Sequence, residues 1–273
     1  FDISASTAGP IAGTNKIENL GTLNKTSASE LVVNPGITFD NSGTTNVLEG
    51  TMTLFGGGSN TGTISVADGA LLQLGASYTH GVSSTIQGAG GVTFAGGNHD
   101  VQGVFSVGGP VRLTFGSATV STSFDASSVL VRTGSMTVNA NQQWGALTVD
   151  NFATLNGAGS FDVSGATLWT SGTIGGGGTL RAMGTTTLNA DTKTLARALE
   201  IGGNATWSSG ALFFQNASLR VLSGGSLDIS APTAGAVAGS NSIMNEGTLV
   251  KSGPSTFVVN PGITFSNTGT LDV

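Results

Sequence analysis

His80 and His99 are the only two histidines in the chain, and they stand 19 residues apart. Two imidazoles on one face could ligate a metal, but Asp100 is the only third donor near them. The favoured reading of both is exposed polar residues. Cleavage of a polysaccharide asks for two carboxylates flanking the scissile bond. Asp150 and Asp162 are the nearest such pair, with Arg132 and Arg181 as the nearest cations, and spacings of 12, 18 and 19 do not make them converge. Asp40, Asp68 and Asp125 sit beside turn residues, and only Gly96-Gly-Asn-His-Asp100 is similar to the dense Gly-Asp runs that hold calcium; ordinary turn aspartates are favoured. The runs Ile86-Gln-Gly-Ala-Gly-Gly-Val92, Leu155-Asn-Gly-Ala-Gly-Ser-Phe161 and Ile174-Gly-Gly-Gly-Gly-Thr-Leu180 lack the helix that a dinucleotide fingerprint requires, so they read as corners. Trp144, Trp169, Trp207 and Tyr78 could line a sugar platform. Trp-x-Ser-Gly recurs at Trp169 and Trp207, which favours a repeated packing position instead. The residues assign no catalytic, cofactor-binding or metal site, no cofactor is implied, and an enzyme is not expected.

The elements that would carry these residues are set by repetition. Residues 1–47 are restated at 227–273 in a gapless register: Asp2 falls on Asp228, Asn34 on Asn260 and Phe39 on Phe265. The chain is thus one 226-residue unit followed by the first 47 residues of the next, which suggests a window within a longer chain. Inside it, Asn-x-Gly-Thr recurs at Asn19, Asn41, Asn60, Asn245 and Asn267, in steps of 22, 19 and, in the second copy, 22. Each instance leads into an alternating stretch such as Thr63-Ile-Ser-Val66. One coil of a β-solenoid per step accounts for this pattern. Asn and Gly would supply a left-handed corner, and stacked Asn side chains would bond from coil to coil. The expected fold is all-β: a right-handed parallel β-helix of about 19–22 residues per coil, continuous over 1–273. Ile37, Phe39, Ile64 and Val66 would fill its lumen. Thr192–Leu199 carries the best helix signal, and Ala5–Asn15 with its copy Ala231–Asn241 reads as a loop that leaves the coil and returns.

Composition agrees. Glycine accounts for 44 residues, and charged residues for only 9%, against roughly 25% in ordinary domains. Mean hydropathy is +0.20, above that of disordered tracts. A net charge of −6 and nine scattered Lys/Arg argue against nucleic acid as a partner. No apolar run is long enough to span a membrane. Cysteine is absent, which rules out disulfides and thiolate metal sites.

The stretches Ile37-Thr-Phe-Asp-Asn-Ser-Gly-Thr44, Asn60-Thr-Gly-Thr-Ile-Ser-Val-Ala-Asp-Gly69 and Trp169-Thr-Ser-Gly-Thr-Ile-Gly-Gly-Gly-Gly-Thr-Leu180 resemble bacterial surface proteins with parallel β-helices, the filamentous-haemagglutinin type and autotransporter passengers. The resemblance implies a secreted, extracellular or cell-surface protein acting as an adhesin, stalk or matrix fibre. The expected function is therefore the structural repeat unit of a large fibre or adhesin stalk. Its partners would be copies of itself, with polysaccharide or a cell surface as further contacts. Three alternatives each predict a distinct surface. A carbohydrate-active β-helix enzyme predicts converging carboxylates, and a glycan-binding adhesin predicts exposed aromatics in register. An ice-binding solenoid predicts a Thr-x-Thr ladder, for which Thr51-Met-Thr53, Thr61-Gly-Thr63 and Thr185-Thr-Thr187 are the candidates.

Overall fold

Alternation of period two dictates the structure. In Ile37–Asn41, Thr63–Val66, Leu71–Leu74 and Ser218–Val221, every second side chain is buried. A strand with one apolar face must bury it, and here strands from successive turns of the chain enclose a common lumen. The computed structural model describes residues 2–3, 7–8, 15–230, 233–254 and 256–273. Every regular element among them is a strand, and the strands stack in parallel as a β-solenoid of about 13 turns in all. Among the described residues no helix is long and apolar enough to cross a membrane.

The chain divides into two compact units, 1–130 with 134–140, and 131–133 with 141–273. In the first unit each turn as far as Val120 has three strands stacked in register on those of the next turn; beyond it 121–127 form no strand, so the first face ends at Val104–Val107. On the first face Thr22 pairs with Thr44, Thr44 with Thr63 and Thr63 with Thr85. On the second, Thr51 pairs with Leu71, and Leu71 with Gly91. On the third, Asn15 pairs with Ile37, Gly58 with Tyr78 and Tyr78 with His99. Most turns keep the expected length. Exceptions are the short step from Ser117 to Ser135 and the long one from Thr7 to Val32. The lumen is closely filled: Ile37, Phe39, Ile64 and Val66 are all buried, as expected from the alternation.

The second unit uses the same plan with longer strands. Gly172–Ala182 and Lys193–Ile201 each run through a corner and serve two faces, with a register shift between Gly175 and Thr179. Thr192–Leu199, the best helix signal in the sequence, thus falls on the strand Lys193–Ile201. Lys193, Leu195, Arg197, Leu199 and Ile201 all point inward at period two, and the two inward cations disguised that period. The expected loop Ala231–Asn241 is also corrected in part. Thr233–Ala238 is a strand that pairs with Leu212–Gln215 and Val258–Val259, while 231–232 lie outside the described residues. In the first copy, Thr7–Ala8 is a strand and the rest of 4–14 lies outside the described residues.

The two copies of the long repeat build the same registers. Ile17 pairs with Phe39, as Ile243 does with Phe265; Asn19 pairs with Asn41, as Asn245 does with Asn267. Thr7 pairs with Val32, as Thr233 does with Val258.

Candidate functional site

The recurring asparagines form a buried ladder at one corner. Asn19 Nδ2 donates to Asn41 Oδ1 at 2.7 Å, and Asn41 Nδ2 donates to Asn60 Oδ1 at 2.8 Å. Each amide also donates to the backbone of the following strand, Asn19 to the Thr44 carbonyl at 2.9 Å and Asn41 to that of Thr63 at 3.1 Å. In the second unit Asn245 repeats both contacts, with Asn267 Oδ1 at 2.6 Å and the Thr270 carbonyl at 2.7 Å. A buried amide that left these bonds unmade would carry its full desolvation cost, so the side chain at this corner is tightly specified. The glycine of the motif has a different role from the one expected. Gly43 and Gly62 are not among the residues with positive φ. A Cβ on Gly43 would sit 2.1 Å from the Gly21 carbonyl oxygen, and one on Gly62 equally close to that of Gly43. Close stacking of backbone, rather than handedness, demands glycine there.

His80 occupies the next rung, directly over Asn60. It is fully buried and both ring nitrogens lack a protein partner, as does Asn60 Nδ2. Burial, with a smaller repulsion from His99, pushes its pKa down to about 3. His99 lies over Tyr78 rather than over His80. It is buried against Phe94, with Nε2 2.6 Å from the Gly96 carbonyl oxygen, and burial lowers its pKa to about 4. Both histidines are therefore lumen residues, not exposed ones. The phenol of Tyr78 is buried too, and its pKa is raised by desolvation. Asp100, the third donor considered, faces outward and accepts from Gln102 Nε2 at 2.6 Å. Among the described residues no three His, Cys, Asp or Glu side chains gather where an ion could be held.

Among the described residues, buried cations stand at other inward positions. Lys25 Nζ reaches the carbonyls of Ser29 (2.5 Å) and Glu49 (2.8 Å), and also that of Ser27; burial lowers its pKa. Lys193 Nζ holds the carbonyls of Asn189, Asp191 and Ser209 at 2.6–3.2 Å, with its pKa pushed down to about 8 by burial. Arg197 lies 4.1 Å over the Phe161 ring and donates to the carbonyls of Gly157, Gly159 and Gly178. Two of the glycine-rich runs thus make a carbonyl cradle for a buried guanidinium. The signal for all three cations was a charged residue at an inward register position, legible only once the strand frame is known.

The carboxylates considered for catalysis are engaged separately within the second unit. Arg132 grips Asp150 through Nε–Oδ1 (3.0 Å) and Nη2–Oδ2 (2.6 Å). Asp162 begins an alternating row on another face. Arg181 lies 3.9 Å from Asp162 and 3.0 Å from Glu200, and Arg220 joins Glu200 (3.4 Å) to Glu246 (2.8 Å). The turn aspartates divide. Asp68 and Asp125 are exposed, whereas Asp40 lies in a strand and binds Ser59 and Lys16. Burial raises the Asp40 pKa, and the Ser59 and Lys16 hydrogen bonds outweigh it, leaving a net lowering.

The three tryptophans and Tyr78 are buried. Trp169, Leu188 and Trp207 occupy one position on three successive turns, and each Trp indole N–H caps its own turn at Ser171 or Gly210. The Thr-x-Thr candidates do not form one ladder: Thr53 is buried, and the strands Thr51–Leu54, Thr63–Val66 and Thr186–Leu188 that carry the three pairs do not lie on one another. A single outward row does exist on the first unit, Thr22–Thr44–Thr63–Thr85. A hollow of about 470 Å³ lined by Leu249, Phe257, Phe265 and Leu271 is lumen, because Phe39, the first-copy equivalent of Phe265, is buried.

No protein-family model matches the chain, and no curated protein or solved structure matches it either.

Proposed function

We propose that this chain is the repeat unit of an extracellular structural fibre or adhesin stalk, with a mechanical rather than catalytic role. One observation carries the reading. The 47 residues that recur after 226 positions rebuild the same registers and the same asparagine contacts in a different unit. A repeat that reproduces its stacking wherever it occurs is a part suited to extension, because each turn interacts chiefly with its neighbours and stability accumulates along the stack. Few charges and a Ser/Thr/Asn-rich exterior suit lateral contact with like chains or with polysaccharide.

Recombinant chains carrying one, two and three long repeats test this. At about 4.8 Å per turn and roughly 11 turns per repeat, particles imaged by electron microscopy should lengthen by about 53 Å for each added repeat. Particles whose longest dimension does not grow with repeat number would refute a fibre.

A further inference from the structure

Among the described residues five non-glycines have positive φ, and four of them mark one corner of the second unit: Thr133 (48°), Asn151 (53°), Phe152 (59°) and Ala190 (60°). A bulky side chain in this region is a genuine outlier, because its Cβ crowds the following carbonyl. Neighbouring turns of the corner place glycine in such conformations, Gly172 at 85° and Gly210 at 70°. Phe152 recovers little by burial, since it is 68% exposed. Its backbone N–H is held by Ser171 Oγ at 2.8 Å. Neither packing nor backbone preference accounts for a phenyl ring there, and retained strain of this kind is a pointer to function.

The ring borders a shallow groove of about 460 Å³ whose walls include Arg132, Asp150, Asn151, Thr170 and Asp191. The polar walls are already oriented. Arg132 is forked onto Asp150, and the Asn151 amide donates to Thr133 Oγ1. The groove therefore sets one exposed aromatic face beside a fixed guanidinium, carboxylate and amide. A pyranose has the complementary chemistry: an apolar C–H face to lie on a ring, and a rim of hydroxyls that donate and accept. Two carboxylates against one cation, itself paired, disfavour an anionic ligand. A shallow polar groove does not suit an apolar one.

We propose that the Phe152 groove is a binding subsite for a neutral sugar of an extended glycan, stacking on Phe152 and hydrogen-bonding to Asp150, Arg132 and Asn151. This goes beyond the structural role proposed above and does not depend on it.

The test is saturation-transfer NMR on the purified chain with malto-, cello-, xylo- and galacto-oligosaccharides at millimolar concentration, and with oligogalacturonate as the anionic control. Transfer to ring C–H protons of at least one neutral oligosaccharide is expected, with less to the galacturonate. The informative variant is Phe152→Gly, which removes the ring and relieves the backbone. Its melting temperature should equal or exceed that of the parent while affinity falls about tenfold or more. The assignment is overturned by absence of transfer to all four neutral oligosaccharides, by undiminished transfer in Phe152→Gly, or by preference for the galacturonate.

Discussion

Acidification from pH 7 to pH 5 should weaken the first unit selectively, through His80 and His99. Both are buried and neutral in the fold, with pKa values lowered to about 3 and about 4 from 6.5. In the unfolded chain each takes up a proton as the pH falls below 6.5, whereas in the fold neither does until the pH nears 4. Stability present at neutral pH is therefore lost progressively across this window. One pKa unit is worth about 1.4 kcal/mol, so each histidine should contribute a loss of about 2 kcal/mol at pH 5, and the pair about 4 kcal/mol. Ordinary carboxylates titrate mainly below this range, which isolates the imidazoles. The assay is amide hydrogen exchange, corrected for intrinsic rates, on strands Tyr78–His80 and Asn98–Val101, with Leu147–Asp150 of the second unit as internal control. In the doubly substituted His80→Asn/His99→Leu chain the pH dependence of the first two strands should flatten. An equal slope in parent and double variant between pH 7 and 5 would refute buried, neutral histidines.

Three further outcomes can be checked by equilibrium denaturation. Gly43→Ala should destabilise by about 2 kcal/mol or more, because its Cβ meets backbone; Gly81→Ala, whose Cβ would meet nothing closer than 3.7 Å and whose φ is not positive, should be neutral or slightly stabilising. Asn41→Leu should cost about 2–4 kcal/mol, since it leaves the buried Asn60 amide oxygen without its donor and takes one acceptor from Asn19, which keeps the Thr44 carbonyl. Glu200→Gln, which weakens two arms of the half-exposed charge row, should cost about 1 kcal/mol or less and show less effect at high salt.

The sequence made the solenoid legible because its corners repeat. Five Asn-x-Gly-Thr copies fixed the turn length, and alternation after each fixed which side chains face inward. What stayed hidden lies where a polar residue takes an inward position. His80 stands 20 residues after Asn60, one turn on, so it was readable as a rung; treated by residue type alone it looked like surface. Lys193 and Arg197 obscured a strand because charged residues at period two are not expected inside. Backbone carbonyls turned inward, those of Asn189, Asp191 and Ser209 for Lys193 and of three glycines for Arg197, make those positions tenable, and that geometry has no local sequence signal. Phe152 was not anticipated: Asn151 is a residue type that tolerates a left-handed turn, but a phenylalanine gives no sign that the turn continues through it. The reading of Trp169 and Trp207 as packing rather than display followed from their separation of two turns.

The asparagine ladder also has a direction. In both units the amide of the earlier turn donates and that of the later turn accepts. The ladder is a chain of dipoles with one sense, ending at Asn60 in a free donor beneath His80. A solenoid built this way is vectorial. The two ends of the run differ chemically: Asn19 keeps an amide oxygen that accepts from the Gly21 N–H and Asn60 keeps a free N–H, so a further rung fits only in the same sense. Any assembly that continues the ladder must run head to tail, and a two-fold junction would set donor against donor.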